Sequence, residues 1–161
     1  MKNILIIPKV ENKHDENYLC VDNNWLVFLN KVFKKYNLEI APFISRKPDL
    51  IILSGGNELI RKNSNKSDRY RNYLNSKFLK YGIKNKIKVI GICLGAQFIA
   101  KKFSSNIERV NNHVGKHKIF YEKKLLKKNF PITDTVNSFH NFSIINLGKN
   151  LVCLASAKDK T

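Results

Sequence analysis

The chain has 161 residues, 43% of them hydrophobic, and 30 Lys and Arg against 12 Asp and Glu give a formal charge of +18. That length and apolar content fit one domain over residues 1–161, and they exclude a disordered chain. The longest apolar runs, Ile4 to Pro8 and Leu50 to Leu53, are strand-sized and far short of the roughly 20 residues of a spanning helix, so no membrane partner is expected.

Asn3 to Pro8 is apolar, β-branched and closed by proline, and reads as a buried first strand. The short apolar stretch after Met1-Lys2-Asn3, with no small-residue cleavage site, does not make a signal peptide, so a cytoplasmic protein is expected. A polar loop through His14, Asp15 and Asn17 follows. From Asn24 to Tyr36, Trp25, Leu26, Phe28, Leu29, Val32 and Phe33 recur at helical spacing. Leu38 to Phe43 predicts a second strand, and Asp49 to Ser54 a third that stops at Gly55-Gly56. Tyr70, Tyr73, Leu74, Phe78, Leu79 and Tyr81 predict an amphipathic helix over Asp68 to Tyr81. Ile87 to Ile90 is a short buried-type strand that runs into Gly91-Ile92-Cys93-Leu94-Gly95, after which Ala96 to Ala100 is helix-forming. Further strands are expected near Lys118 to Tyr121, Thr135 to Ser138, Ser143 to Asn146 and Leu151 to Ala155. This alternation predicts an α/β sandwich, a mostly parallel central sheet with helices on both faces. In such sheets functional groups gather at the carboxyl ends of the strands, where both Gly55-Gly56 and Cys93 fall.

Cys20, Cys93 and Cys153 are widely spaced and form no C-x-x-C pair, which argues against a disulfide framework or a zinc site. Cys93 is different from the other two. The spacing Gly91-x-Cys93-x-Gly95 is that of a nucleophile elbow, in which a strained strand-to-helix turn exposes the reactive atom and flanking glycines avoid clashes. Unpaired N–H groups at the start of the following helix favour a thiolate. The Leu94 N–H is expected to stabilise an oxyanion, with a second donor from the neighbouring strand-end loop at Gly56.

Leu53-Ser54-Gly55-Gly56-Asn57 followed by Val89-Ile90-Gly91-Ile92-Cys93-Leu94-Gly95-Ala96-Gln97 resembles the class I glutamine amidotransferases, whose sandwich is flavodoxin-like. Asp68-Arg69-Tyr70-Arg71 is similar to the D-x-x-R segment of the branch related to γ-glutamyl hydrolases, with Asn72 where that branch usually has Asp. Val136-Asn137-Ser138-Phe139-His140 resembles its V-N-S-x-H segment, and Leu154-Ala155-Ser156-Ala157-Lys158-Asp159 its A-x-s-x-D strand end. The resemblance implies that Cys93 attacks a γ-glutamyl amide to form a thioester, that Gly56 and Leu94 form the oxyanion hole, that Gln97 holds the glutamyl part, and that the backbone near Asn141 and Phe142 meets its amino acid end. It implies a small-molecule γ-glutamyl substrate, leaves room for a synthase partner, and calls for no cofactor. Asp22-Asn23-Asn24-Trp25 and the Lys/Asn-rich style look similar to stand-alone amidotransferases of bacterial surface-polysaccharide loci, which implies a γ-glutamyl-nucleotide amidate as substrate.

In the family the catalytic His and Glu lie in an H-P-E segment, and none occurs in these 161 residues. The expectation is therefore a domain lacking its C-terminal portion, with covalent catalysis impaired for want of a base. A second reading follows, an inactive module binding a partner protein or nucleic acid. No zinc finger, helix-turn-helix or RNA-binding aromatic signature supports nucleic acid. His113 and His117 have helical metal-ligand spacing, but Gly115 between them weakens a helix and no metal is expected. The positive charge has two readings, a solvated surface or a field for an anionic substrate met by Arg61, Lys62, Lys66, Arg69 and Arg71.

Overall fold

Ile4, Leu5, Ile6 and Ile7 alternate between two separate apolar clusters, which is what a strand with a period of two must do when both its faces are covered. They belong to β1 (Lys2–Ile7), the second strand of a sheet whose other members are β4 (Tyr36–Ile40), β5 (Leu50–Leu53) and β6 (Lys88–Gly91). The structure, a computed structural model, describes residues 1–110, 113–126 and 132–158. The chain divides into two units, Met1–Ile99 and Ala100–Thr161.

In the first unit the sheet order is β4-β1-β5-β6 and every pairing is parallel, the doubly wound order of flavodoxin-like sheets. On one face α1 (Asn23–Val32) brings Leu29, with Trp25 beside it, onto Ile4, Ile6 and Ile52. On the other, α2 (Lys66–Lys84) sets Leu74, Phe78 and Leu79 on Leu5, Ile7, Ile51 and Leu53, joined by Phe98 of α3 (Leu94–Lys102). The expected α/β sandwich with helices on both faces is thus present. Asp22 caps α1 by accepting the Asn24 N–H at 2.7 Å, and the helix ends at Phe33, whose N–H donates to the Leu29 carbonyl at 2.8 Å. It is shorter than the spacing predicts. Leu26, Phe28 and Val32 are about half exposed (41%, 50% and 54%), because apolar residues surround more of this helix than the sheet can cover.

The segment after β1 departs from the sequence reading. The expected polar loop at His14 to Asn17 is a hairpin, β2 (Lys9–Lys13) paired with β3 (Glu16–Cys20). His14 and Asp15 take φ of 52° and 61°, the left-handed pair that a two-residue hairpin turn requires. Of its residues only Val10 is fully buried, so the strands carry no apolar alternation to betray them.

In the second unit β7 (Asn106–Arg109) pairs antiparallel with β10 (Phe142–Asn146), and β8 (Val114–Tyr121) lies between β9 (Thr135–Phe139) and β11 (Ala155–Ala157), also antiparallel. The sequence reading missed β7, which has a single apolar residue, Ile107. The strand expected over Leu151 to Ala155 begins instead at Ala155. No helix among the described residues is long and apolar enough to cross a membrane.

The two central strands of the first unit are joined at their carboxyl ends by a buried cation. Arg71 on α2 is fully buried. Its guanidinium donates to the Ser54 carbonyl at 2.6 Å, to Ser54 Oγ at 3.3 Å, to Asn75 Oδ1 at 3.1 Å and to the Pro8 carbonyl. Burial pushes its pKa down to about 10, so it stays charged at neutral pH. This corrects the expectation that Arg71 meets an anionic substrate: its donors already serve the ends of β1 and β5. Arg71→Ala leaves the Ser54 and Pro8 carbonyls without that donor, and urea denaturation should show a loss of on the order of 3 kcal/mol.

Candidate active site

The glycines around Cys93 are explained by backbone, not by side chains. The Ile92 N–H donates to the Leu53 carbonyl at 3.0 Å, so the chain stays in register with β5 one residue beyond β6. It then reverses at Cys93 and enters α3 at Leu94. A Cβ on Gly95 would overlap the Leu53 carbonyl, and one on Gly91 would lie 2.6 Å from the Gly95 carbonyl carbon. Only glycine at both places lets the first turn of the helix sit this close to the strands.

Cys93 itself takes φ of +52° and is exposed. A left-handed conformation costs a residue with a Cβ on the order of 1–2 kcal/mol and collects at functional positions. The turn is closed beneath it: the Gly95 N–H donates to the Ile92 carbonyl at 2.9 Å and the Gln97 N–H to the Cys93 carbonyl at 3.0 Å. Leu94, the first residue of α3, is buried and Gln97 is half-buried.

The strand-end loop after β5 flanks the cysteine. A Cβ on Gly55 would sit 3.3 Å from Cys93 Cβ and 4.0 Å from its Sγ. Gly56 is exposed with φ of +81°, and a Cβ there would lie 2.8 Å from Cγ of Lys9. Asn57, also left-handed at +53°, uses its side chain as a piece of strand: Oδ1 accepts the Val10 N–H and Nδ2 donates to the Val10 carbonyl, both at 2.8 Å. Lys9 and Val10 belong to the hairpin, so residues that the sequence reading left in a loop wall one side of the site. Glu11, two residues on, is held at a pKa of about 2 by hydrogen bonds from Lys9 and then Lys13.

The structure therefore brings Cys93, Leu94, Gln97 and the Gly55-Gly56 loop together in the first unit. Asn141 and Phe142 belong to the second, where the Asn141 carbonyl accepts the Val110 N–H at 3.0 Å and Phe142 opens β10 opposite Arg109. His113 and His117 are not on a helix. His117 lies on β8, with the His113 ring 5.1 Å from its own and 5.0 Å from that of His140. Among the described residues no group of three or more His, Cys, Asp or Glu could hold a metal ion. Arg69, expected to face an anion, donates from Nε to the Ser64 carbonyl at 3.0 Å and from Nη2 to that of Lys62 at 3.2 Å, which folds the loop before α2. Asp159 of the A-x-s-x-D segment lies outside the described residues.

Comparison with known proteins shows the family. The family description "Glutamine amidotransferase class-I" matches residues 27–161. A gamma-glutamyl-CDP-amidate hydrolase of Campylobacter jejuni subsp. jejuni is 34% identical over 158 residues, 93% of this chain and 74% of that protein. Among solved structures, a glutamine amidotransferase from Thermotoga maritima superposes with a TM-score of 0.66 at 17% identity, over 99% of this chain and 68% of its own. A glutamine amido transferase from Methylobacillus flagellatus gives 0.58 at 13%, over 98% and 62%. These structural likenesses concern the fold alone.

Two substitutions test the geometry. Cys93→Gly relieves the left-handed backbone, and calorimetry should find the unfolding free energy raised by up to about 1 kcal/mol. Gly95→Ala, with no room for its methyl, should lower the melting temperature far more than Gly55→Ala, whose methyl meets only the Cys93 side chain and a carbonyl.

Proposed function

Because the chain belongs to the class-I glutamine amidotransferases, a family of cysteine-dependent enzymes, we propose that it hydrolyses a γ-glutamyl amide through a thioester on Cys93. The observation that carries the reading is the exposed, left-handed Cys93 at the strand-to-helix turn, with Gly55 of the neighbouring loop against its side chain. In this reading the turn is a nucleophile elbow. The sulfur forms a bond to the γ-carbonyl carbon, the C–N bond breaks, and the proton given up by the thiol leaves on the nitrogen. Water then adds to the thioester carbon, releasing glutamate and returning the thiol.

Negative charge gathers on the carbonyl oxygen at each addition, so backbone donors fixed in advance carry much of the rate. The Leu94 N–H, at the start of α3, and the Gly56 N–H, in the loop beside the cysteine, are the proposed pair. Gln97, whose backbone N–H donates to the Cys93 carbonyl, is the proposed support for the glutamyl chain. The name of the Campylobacter relative favours a γ-glutamyl group carried on a nucleotide amidate; a cytoplasmic role in bacterial surface-polysaccharide synthesis is the further part of the proposal and rests on the sequence resemblance alone.

A glutamine-mimicking diazo-ketone should add mass to the peptide containing Cys93 and to neither Cys20 nor Cys153. Cys93→Ala should remove both that label and all release of glutamate from γ-glutamyl-CDP-amidate. A folded wild-type protein that takes no label on Cys93 and releases no glutamate from either this amidate or glutamine would overturn the reading.

A further inference from the structure

Asp68 is the acidic residue of α2, and among the described residues its buried side chain makes no ion pair. It is 8% exposed. Its Oδ1 accepts the Glu58 N–H and the Nδ2 of Asn57, each at 3.2 Å. A carboxylate close to the start of a helix has a local role available, interaction with the helix's own unpaired N–H groups. Here the cap is the Asn65 side chain, whose Oδ1 accepts the Asp68 N–H at 2.8 Å, while the bonds of the Asp68 Oδ1 run to Asn57 and Glu58. The Asp68 carboxylate is thus turned to the strand-end loop.

One turn further along the same helix, Arg71 grips the other end of that loop through the Ser54 carbonyl. Residues three apart on a helix share a face. Segment 54–58 is thus held at both ends by one helix, with a cation drawing in the carbonyl at its start and an anion drawing in the N–H at its finish. Between those grips lie Gly55, against Cys93, and the left-handed pair Gly56 and Asn57. Two successive left-handed residues, one of them not glycine, are costly unless the surroundings fix them. Asn57 is fixed from two sides, by Val10 of the hairpin and by Asp68.

We propose that Asp68 is a positioning residue for catalysis: by fixing Asn57 and Glu58 it sets the conformation of the segment that presents the Gly56 N–H beside Cys93. The role rests on the thioester reading above, in which that N–H binds the oxyanion. It differs from a general stabilising role, because it acts on the oxyanion donor and leaves the sulfur untouched.

Two thiol reagents separate these effects. Alkylation of Cys93 by iodoacetamide displaces iodide at a saturated carbon and develops no oxyanion, whereas the diazo-ketone must first seat its carbonyl in the site. In Asp68→Ala, diazo-ketone labelling should slow by about 10²-fold, the scale of one lost oxyanion donor, while iodoacetamide alkylation stays within about twofold of wild type. Asp68→Asn keeps an oxygen that can accept both N–H groups and should recover most of the rate. Asp22→Ala, which removes the cap of α1 on the opposite face of the sheet, should lower the melting temperature and leave the ratio of the two rates unchanged. Hydrogen exchange of the peptide spanning 54–58 should be faster in Asp68→Ala than in wild type and Asp68→Asn.

A fall in both labelling rates together, or an unchanged ratio in Asp68→Ala, would overturn the assignment. If wild-type Cys93 takes iodoacetamide but not the diazo-ketone, and no γ-glutamyl amide is hydrolysed, the thioester reading is what has failed. Exchange at 54–58 then decides the clamp by itself, with equal rates in wild type and Asp68→Ala rejecting it.

Discussion

A single guanidinium, taken out of water and spread over the carboxyl ends of two adjacent parallel strands, is the constraint on which the first unit is built. Four hydrogen bonds join Arg71 to Pro8, Ser54 and Asn75. A lysine ammonium lacks the planar fork needed to reach these acceptors at once. The carboxyl end of a parallel sheet is where backbone carbonyls emerge and loops diverge. A buried cation there does two things: it satisfies carbonyls the sheet has finished with, and it fixes the point at which the loop after β5 departs. Hydrophobic contact could not do this, since Leu74, Phe78 and Leu79 hold the helix to the sheet without specifying where a loop begins.

β1 and β5 were legible because they are nearly continuous Ile and Leu and the helices on them keep an apolar stripe, whereas β4, with Asn37 and Glu39 in it, begins at Tyr36 and ends at Ile40, not over Leu38 to Phe43. The order Gly91-x-Cys93-x-Gly95 was legible too, and its physical reason is backbone contact: Gly95 against the Leu53 carbonyl and Gly91 against Gly95. What escaped is instructive. β2, β3 and β7 are held by main-chain pairing and show little apolar alternation, so period-two reasoning finds nothing in them. The hairpin had one signal, His14-Asp15, but that pair is a weaker mark of a tight turn than Asn-Gly.

Arg71 shows the limit of reading charge from composition. Counted among the cations of a basic segment, it looks like part of a surface that awaits phosphate, yet it is fully buried. Arg69 is exposed and still spends its donors on the carbonyls of Lys62 and Ser64. The D-x-x-R pattern records spacing on one helix face, and only contacts reveal that both charged groups turn toward main chain. Asn57 gives the complementary case. Its place after two glycines suggests a turn, while its imitation of a strand against Val10 depends on a hairpin residue 47 positions earlier in the chain.

The height of the sulfur above the sheet is determined by atoms common to every amino acid. Gly91, Gly95 and the Leu53 carbonyl fix the path of the main chain, and Cys93 contributes only what hangs from it. A scaffold of this kind separates where a reactive group stands from which group it is. Drift at Gly95 is closed off by sterics, whereas the apex is free to exchange one short polar side chain for another without rebuilding its support, so the chemistry of such a fold can diverge while its architecture stays put.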